Sequence, residues 1–146
     1  MLTAGAALMG ADYSVGVDLD ADALIDAKKF IKKLNLESRV DFFRGAVEEL
    51  GLRADVVIQN PPFGVWKREA DRAFLSAALD IAHTVYSLHK GGEDIRRFIR
   101  GFVEGLGGKI DEILPLKIKL PPTYEFHKRK FHVVDVDLYR IMRGMR

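Results

Sequence analysis

A chain of 146 residues, 48% apolar and 30% charged, has the length and composition of one globular domain, which excludes a disordered tail, a collagen and a membrane bundle. It contains no cysteine, so disulfides, cysteine-containing zinc sites and cysteine nucleophiles are excluded, and a reducing cytoplasm is the expected compartment. The net charge of +2 is unevenly spread: the residues from Lys117 onward carry +5 and the first 116 carry −3, which favours a nucleic-acid partner at the C-terminal end.

Met1 to Ala11 is apolar, but it has no basic leading region and breaks at Asp12, so no signal peptide is read. No apolar run reaches the roughly 18 residues of a membrane helix. Ala4 to Gly10 is small and apolar, as in a buried helix stopped by Gly10. Ser14 to Leu19 reads as a short buried strand ending in an acid, Asp18. Asp20 caps a helix over Ala21 to Leu34, with Leu24, Ala27, Ile31 and Leu34 on one face and four lysines mostly on the other.

Val40 to Arg44 is a second strand and Glu48 to Leu52 a turn of helix. Ala54 to Gln59 is a continuous apolar strand of the kind a parallel sheet buries on both faces. After a sharp turn at Asn60 to Gly64, a helix over Asp71 to Ile81, a strand over Ala82 to His89 and a helix over Glu93 to Gly105 follow. Two long strands, Lys109 to Leu120 and Phe131 to Ile141, flank the loop Pro121 to Lys130. No repeat, low-complexity segment or linker divides the chain, so a single α/β domain over residues 1–146 with a mostly parallel sheet is expected.

Asn60-Pro61-Pro62-Phe63 directly follows a buried strand, and open α/β sheets bind ligands at the carboxyl ends of their strands. The two prolines stiffen the turn and withhold two backbone donors. They leave the Asn60 side-chain oxygen and the Pro61 carbonyl as acceptors, a pair that suits an amino group with its two hydrogens. Phe63 is placed to stack on a planar ring bearing that group. Holding both hydrogens frees the nitrogen lone pair to attack, which is catalysis by positioning, without a covalent intermediate. Upstream, Asp18 suits either of two roles, accepting from ribose hydroxyls or sitting as an acid beside the cap Asp20. Three adjacent cations, Lys128, Arg129 and Lys130, suit phosphate contacts, or keep an exposed hairpin tip soluble. Gly105-Leu106-Gly107-Gly108 follows a helix and reads as its terminating turn. The histidines at 83, 89, 127 and 132 show no ligand spacing with carboxylates, so no metal site is expected. His83 and His89 are expected to pack or hydrogen-bond along their strand, and no Ser-His-Asp set is readable.

These segments resemble a known family. They are Leu2 to Ala11, Val15-Gly16-Val17-Asp18-Leu19-Asp20, Val56 to Gly64, Val85-Tyr86-Ser87-Leu88-His89-Lys90, Leu120 to Lys130 and Val134 to Leu138. Together they are similar to the class I S-adenosylmethionine-dependent methyltransferases that act on exocyclic nitrogens, of the N6-adenine type with an Asn-Pro-Pro-Phe motif. The narrower resemblance is to methyltransferase-like protein five and its archaeal relatives, which modify adenosine N6 in small-subunit ribosomal RNA. It implies a Rossmann-like fold, S-adenosyl-L-methionine as cofactor and no metal. By position, Asp18 holds the cofactor ribose, the backbone at Ala46 and Val47 faces its adenine, and Asn60 is shared between cofactor and target. Asn60, Pro61, Pro62 and Phe63 hold the target base, and His127, Lys128, Arg129 and Lys130 meet ribosomal RNA. Many relatives carry an acid where this chain has Ala46, which leaves the backbone to make that contact.

The resemblance also implies a strand order of 3-2-1-4-5-7-6 in which the first strand and its glycine loop lie upstream of Met1. The expected sheet therefore lacks its central strand and glycine loop, and the chain reads as N-terminally truncated. A small zinc-binding activator subunit is implied as a partner on the strand Val40 to Arg44. Two other readings stay open: transfer to guanine N2 or to a protein glutamine amide, and a non-catalytic RNA-binding fragment.

Overall fold

The computed structural model describes residues 1–62, 68–120 and 132–144. They form two compact units, Met1–Gly51 and Leu52–Arg146.

In the first unit, α1 (Leu2–Leu8) leads to β1 (Ser14–Asp18), α2 (Ala21–Lys33), β2 (Val40–Arg44) and a single 3-10 turn at Val47–Glu49. The helix α1 stops before Gly10, whose φ of +106° is a conformation that favours glycine. Its terminal carbonyls are satisfied from elsewhere in the unit. The Arg39 guanidinium donates to Ala7 O at 2.8 Å and to Ala11 O at 2.6 Å. Asp20 caps α2 as its sequence position predicts, accepting from the Asp22 and Ala23 amides. β1 and β2 pair in parallel from Ser14↔Val40 to Asp18↔Arg44. Ala4, Ala7, Ile31, Leu36 and Val40 form the unit's core. Gly16 lies opposite Phe42, and a Cβ there would come within 2.7 Å of the ring, so only glycine lets Phe42 lie across the strand.

The second unit is built from β3 (Ala54–Gln59), α3 (Arg68–Ile81), β4 (Ala82–Lys90), α4 (Glu93–Gly105), β5 (Gly108–Leu120) and β6 (His132–Arg143). Its sheet order is β3-β4-β6-β5, with β3 and β4 parallel and β6 antiparallel to both β4 and β5. Leu75, Ala78 and Leu79 of α3 and Ile99 and Val103 of α4 pack on Val85, Tyr139 and Ile141. The helix α4 ends at the glycine-rich stretch, where Gly107 has φ +75° and its amide donates to Glu104 O at 2.9 Å. Gly105 to Gly108 is thus a helix stop. Asp137, buried on β6, is held bidentately by Arg96 of α4 at 2.8 Å through both oxygens.

One expectation fails. Ala54–Gln59 is not buried on both faces: Val56 and Ile58 are 47% and 46% exposed, while Val57 packs against the core. The helices cover only the face that Val57 shares, and β3 is an edge strand. In β1, likewise, Val15 is exposed and only Ser14 and Gly16 are buried. In the implied order 3-2-1-4-5-7-6, the observed neighbours β1-β2 and β3-β4-β6-β5 occupy the places 2-3 and 4-5-7-6. Among the described residues, one edge of β1 and one edge of β3 carry no partner strand.

Candidate functional site

Asp18 closes β1 at its carboxyl end and is exposed. One carboxylate oxygen accepts from the Asp20 amide at 3.0 Å, which fixes the side chain. The other has no partner among the described residues. The Gly45 amide donates to Asp18 O at 3.2 Å and the Arg44 guanidinium to Leu19 O at 3.2 Å. These two bonds bring the chain after β2 alongside Asp18 and set Ala46 and Val47, both half-buried, at the same end of the pair. Val47 begins the 3-10 turn, and its amide makes no backbone bond among the described residues. A free carboxylate oxygen beside a free amide matches an adenosine, which offers ribose hydroxyls as donors and ring nitrogens as acceptors. The donor set therefore fits S-adenosylmethionine.

In the second unit, Asn60 leaves the carboxyl end of β3 exposed, with no hydrogen bond to the described residues. Pro61 beside it is fully buried and Pro62 exposed. A buried proline anchors the turn while the Asn60 side chain beside it stays exposed. Phe63, together with His127, Lys128, Arg129 and Lys130, lies outside the described residues.

The structure adds a cluster that sequence reading missed. Ser87 and His89 alternate on the buried face of β4, and Ser87 lies opposite Gln59 in register. Gln59 Nε2 donates to Ser87 Oγ at 3.0 Å, Ser87 Oγ meets His89 Nε2 at 2.6 Å, and His89 Nδ1 meets Asp71 Oδ1 at 3.1 Å. The edge of the His89 ring packs against Tyr139 at 5.5 Å between centroids. A Ser-His-Asp set is therefore present, contrary to the reading of the spacing alone. Its signal was the i, i+2 placement of Ser87 and His89 on one strand face. Asp71 enters from α3 and could not be found without the tertiary structure. His83 shares the strand face of Val85, Ser87 and His89 but lies exposed at the opposite end of β4. Tyr139 itself is fully buried with no hydrogen-bond partner for its hydroxyl. Burial, and then the charge of Asp137, push its pKa up to about 12.

Each unit places its candidate residue at the carboxyl end of a parallel strand, as nucleotide-binding α/β folds do, and solved structures that the chain resembles share the Rossmann-like class I methyltransferase fold. No protein-family model matches the chain. A proposed RNA methyltransferase of Pyrococcus horikoshii superposes with a TM-score of 0.85 at 35% identity, over 97% of this chain and 68% of that one. An uncharacterised protein of Methanocaldococcus jannaschii is 39% identical over 96% of this chain and 68% of its own length. The rRNA N(6)-adenosine-methyltransferase METTL5 of Danio rerio is 34% identical over 96% of this chain and 69% of its own. The chain belongs to the METTL5 family of class I S-adenosylmethionine-dependent methyltransferases.

Proposed function

We infer that the protein is an RNA methyltransferase that moves a methyl group from S-adenosyl-L-methionine to the N6 amino group of an adenosine, with small-subunit ribosomal RNA as substrate. The observation that carries this reading is Asn60, exposed at the carboxyl end of β3 beside the buried Pro61, with no hydrogen-bond partner among the described residues. The names of the METTL5 relatives support the base and the RNA.

When bound, the cofactor supplies an electrophilic methyl group on a sulfonium. Asp18 would accept from its ribose hydroxyls, and the backbone at Ala46 and Val47 would meet its adenine. The Asn60 oxygen and the Pro61 carbonyl accept the two hydrogens of the target amino group. Held this way, the nitrogen lone pair, otherwise delocalised into the base, would be free to attack, and the methylated nitrogen would then release one hydrogen as a proton to solvent. Phe63 stacks on the base in this reading, and Pro62 stiffens the turn. His127, Lys128, Arg129 and Lys130 contact RNA phosphates. The strand β2 offers Phe43, 49% exposed, to an activator subunit, while Phe42 packs inward against the first unit's core.

The test is methylation of small-subunit ribosomal RNA with labelled cofactor, followed by separation of nucleosides. Label in N6-methyladenosine is the expected result. Label in 2-methylguanosine, or in protein glutamine, overturns the adenine reading. Binding of RNA with no transfer overturns the enzyme reading in favour of a non-catalytic RNA-binding protein.

A further inference from the structure

The chain Gln59–Ser87–His89–Asp71 has a defined direction. A carboxylate only accepts, so His89 Nδ1 carries its proton toward Asp71, which in the neutral imidazole leaves Nε2 as an acceptor. Ser87 gives its hydroxyl hydrogen to Nε2 at 2.6 Å and receives the Gln59 amide hydrogen at 3.0 Å. The Ser87 and His89 donors each have an acceptor in the row, and the bond to Ser87 Oγ sets which way the Gln59 amide faces. Its composition is that of a nucleophilic triad, but its burial is not. Ser87 is 0% and His89 1% exposed, and the Ser87 oxygen is already bonded on two sides, so no substrate reaches it.

The ends of the row matter more than its middle. Gln59 is the last residue of β3 and immediately precedes Asn60. Asp71 lies one turn into α3, which starts at Arg68. The row thus ties the strand that enters the Asn60-Pro61-Pro62 turn to the helix that leaves the following segment. It does so through the neighbouring strand β4, whose backbone is bonded to β3 and β6 on its two sides. Pro61, fully buried, closes the same corner from the chain itself. An amide held at Gln59 leaves the next residue little freedom to swing, and two acceptors can hold an amino group only while their separation is fixed.

We propose that Ser87, His89 and Asp71 are positioning residues: through Gln59 they hold the Asn60 and Pro61 acceptors in the geometry that grips the target amino group. The proposal rests on the methyl-transfer reading above for its effect on rate, and on the structure alone for its effect on Asn60. Replacing a link should loosen Asn60 and lower kcat, by up to about 100-fold for a displacement near 1 Å. The cofactor's KM should stay unchanged, because Asp18 and Val47 are untouched.

The test compares Ser87→Ala and Asp71→Leu, which break the row, with Asp71→Asn, whose side-chain oxygen still accepts from His89. Two readouts are taken on each variant below its melting temperature. One is the order parameter of the Asn60 side-chain amide by ¹⁵N relaxation. The other is kcat with cofactor KM on ribosomal RNA. The expected result is a loosened Asn60 and a lower kcat in the two breaking variants, near-native values in Asp71→Asn, and constant cofactor KM throughout. An unchanged Asn60 order parameter in Ser87→Ala overturns the proposal, whatever happens to turnover. A wild-type protein that transfers no methyl group while Asn60 still loosens in the breaking variants overturns the methyl-transfer reading and leaves the positioning role standing.

Discussion

At the scale of single residues, Asn60 and Tyr139 make opposite predictions. Asn60→Ala removes one of two acceptors from an exposed strand end. Methyl transfer should fall by about 10²–10³, or about 3–4 kcal/mol, while folding stays intact. Cofactor affinity measured by calorimetry should fall far less than the rate, because in the proposed reading Asp18 and the backbone at Val47 would still hold the adenosine. Tyr139→Phe touches no proposed contact and removes a buried hydroxyl that has no partner. Such a group costs about 1–3 kcal/mol, so chemical denaturation should find this variant as stable as the wild type or about 1 kcal/mol more so. The same hydroxyl has an alkaline signature. Its folded pKa of about 12 lies above the ordinary 10, so the folded protein keeps a proton that the unfolded chain has lost. Its contribution is complete below pH 10 and is lost as pH rises toward 12, and Tyr139→Phe should flatten that fall. Asn60 was legible in the sequence because its chemistry sits in four consecutive residues. Ser87 and His89 were legible only as residues of one strand face, because their meaning depends on Asp71 and Gln59 from other elements.

At the scale of elements, the helices and the caps were the most legible parts. α2 and α4 follow their 3.6-residue apolar stripes, and Asp20 and Gly107 stop or start them where side-chain chemistry demands. The strands were placed within a residue or two, but their burial was misread. An apolar run such as Ala54–Gln59 fits a central strand, and here it lies at an edge with only one face covered. The pair Phe42 and Phe43 shows how the pleat divides neighbours. Phe42 joins the core of Ala4, Ala7, Ile31, Leu36 and Val40, and Phe43 faces outward. Phe42→Asp should therefore destabilise the first unit by about 3 kcal/mol or more, seen as a lower melting temperature. Phe43→Asp should leave melting unchanged and abolish co-purification with an activator subunit. Retained binding in that variant would remove β2 as the docking strand.

At the scale of the molecule, the edges of β1 and β3 that carry no partner strand among the described residues, with the exposed Val15, Val56 and Ile58, should make this 146-residue chain self-associate as concentration rises. Sedimentation should show larger species, and Val56→Lys with Ile58→Lys should suppress them. Charge acts at the same scale. The residues from Lys117 onward carry +5, and if they meet RNA, neutralising Lys128, Arg129 and Lys130 should weaken binding and reduce its salt slope by about 2–3. That asymmetry was readable at once from composition, whereas the division into two units was not, because no linker composition marks Gly51.

The long antiparallel ladder of the second unit bears on the order in which the chain acquires its structure. β5 and β6 are joined by residues 121–131 alone and align from Leu120↔His132 to Gly108↔Arg143. That pairing closes a short loop, so its entropic barrier is low and a hairpin of this kind forms within microseconds to milliseconds. β4 meets β6 only after α4 and β5 have been spanned, and β3 finds β4 across the whole of α3. Once that hairpin exists, only residues 91–107 separate it from β4, against residues 60–81 between β3 and β4, so the parallel pair closes last. Pulse-labelled hydrogen exchange during refolding should protect the amides of Ile113 to Lys119 and Val133 to Tyr139 before those of Val56 to Gln59. The strand that carries Asn60 at its end is then the last to be fixed in place and, at equilibrium, the first to open.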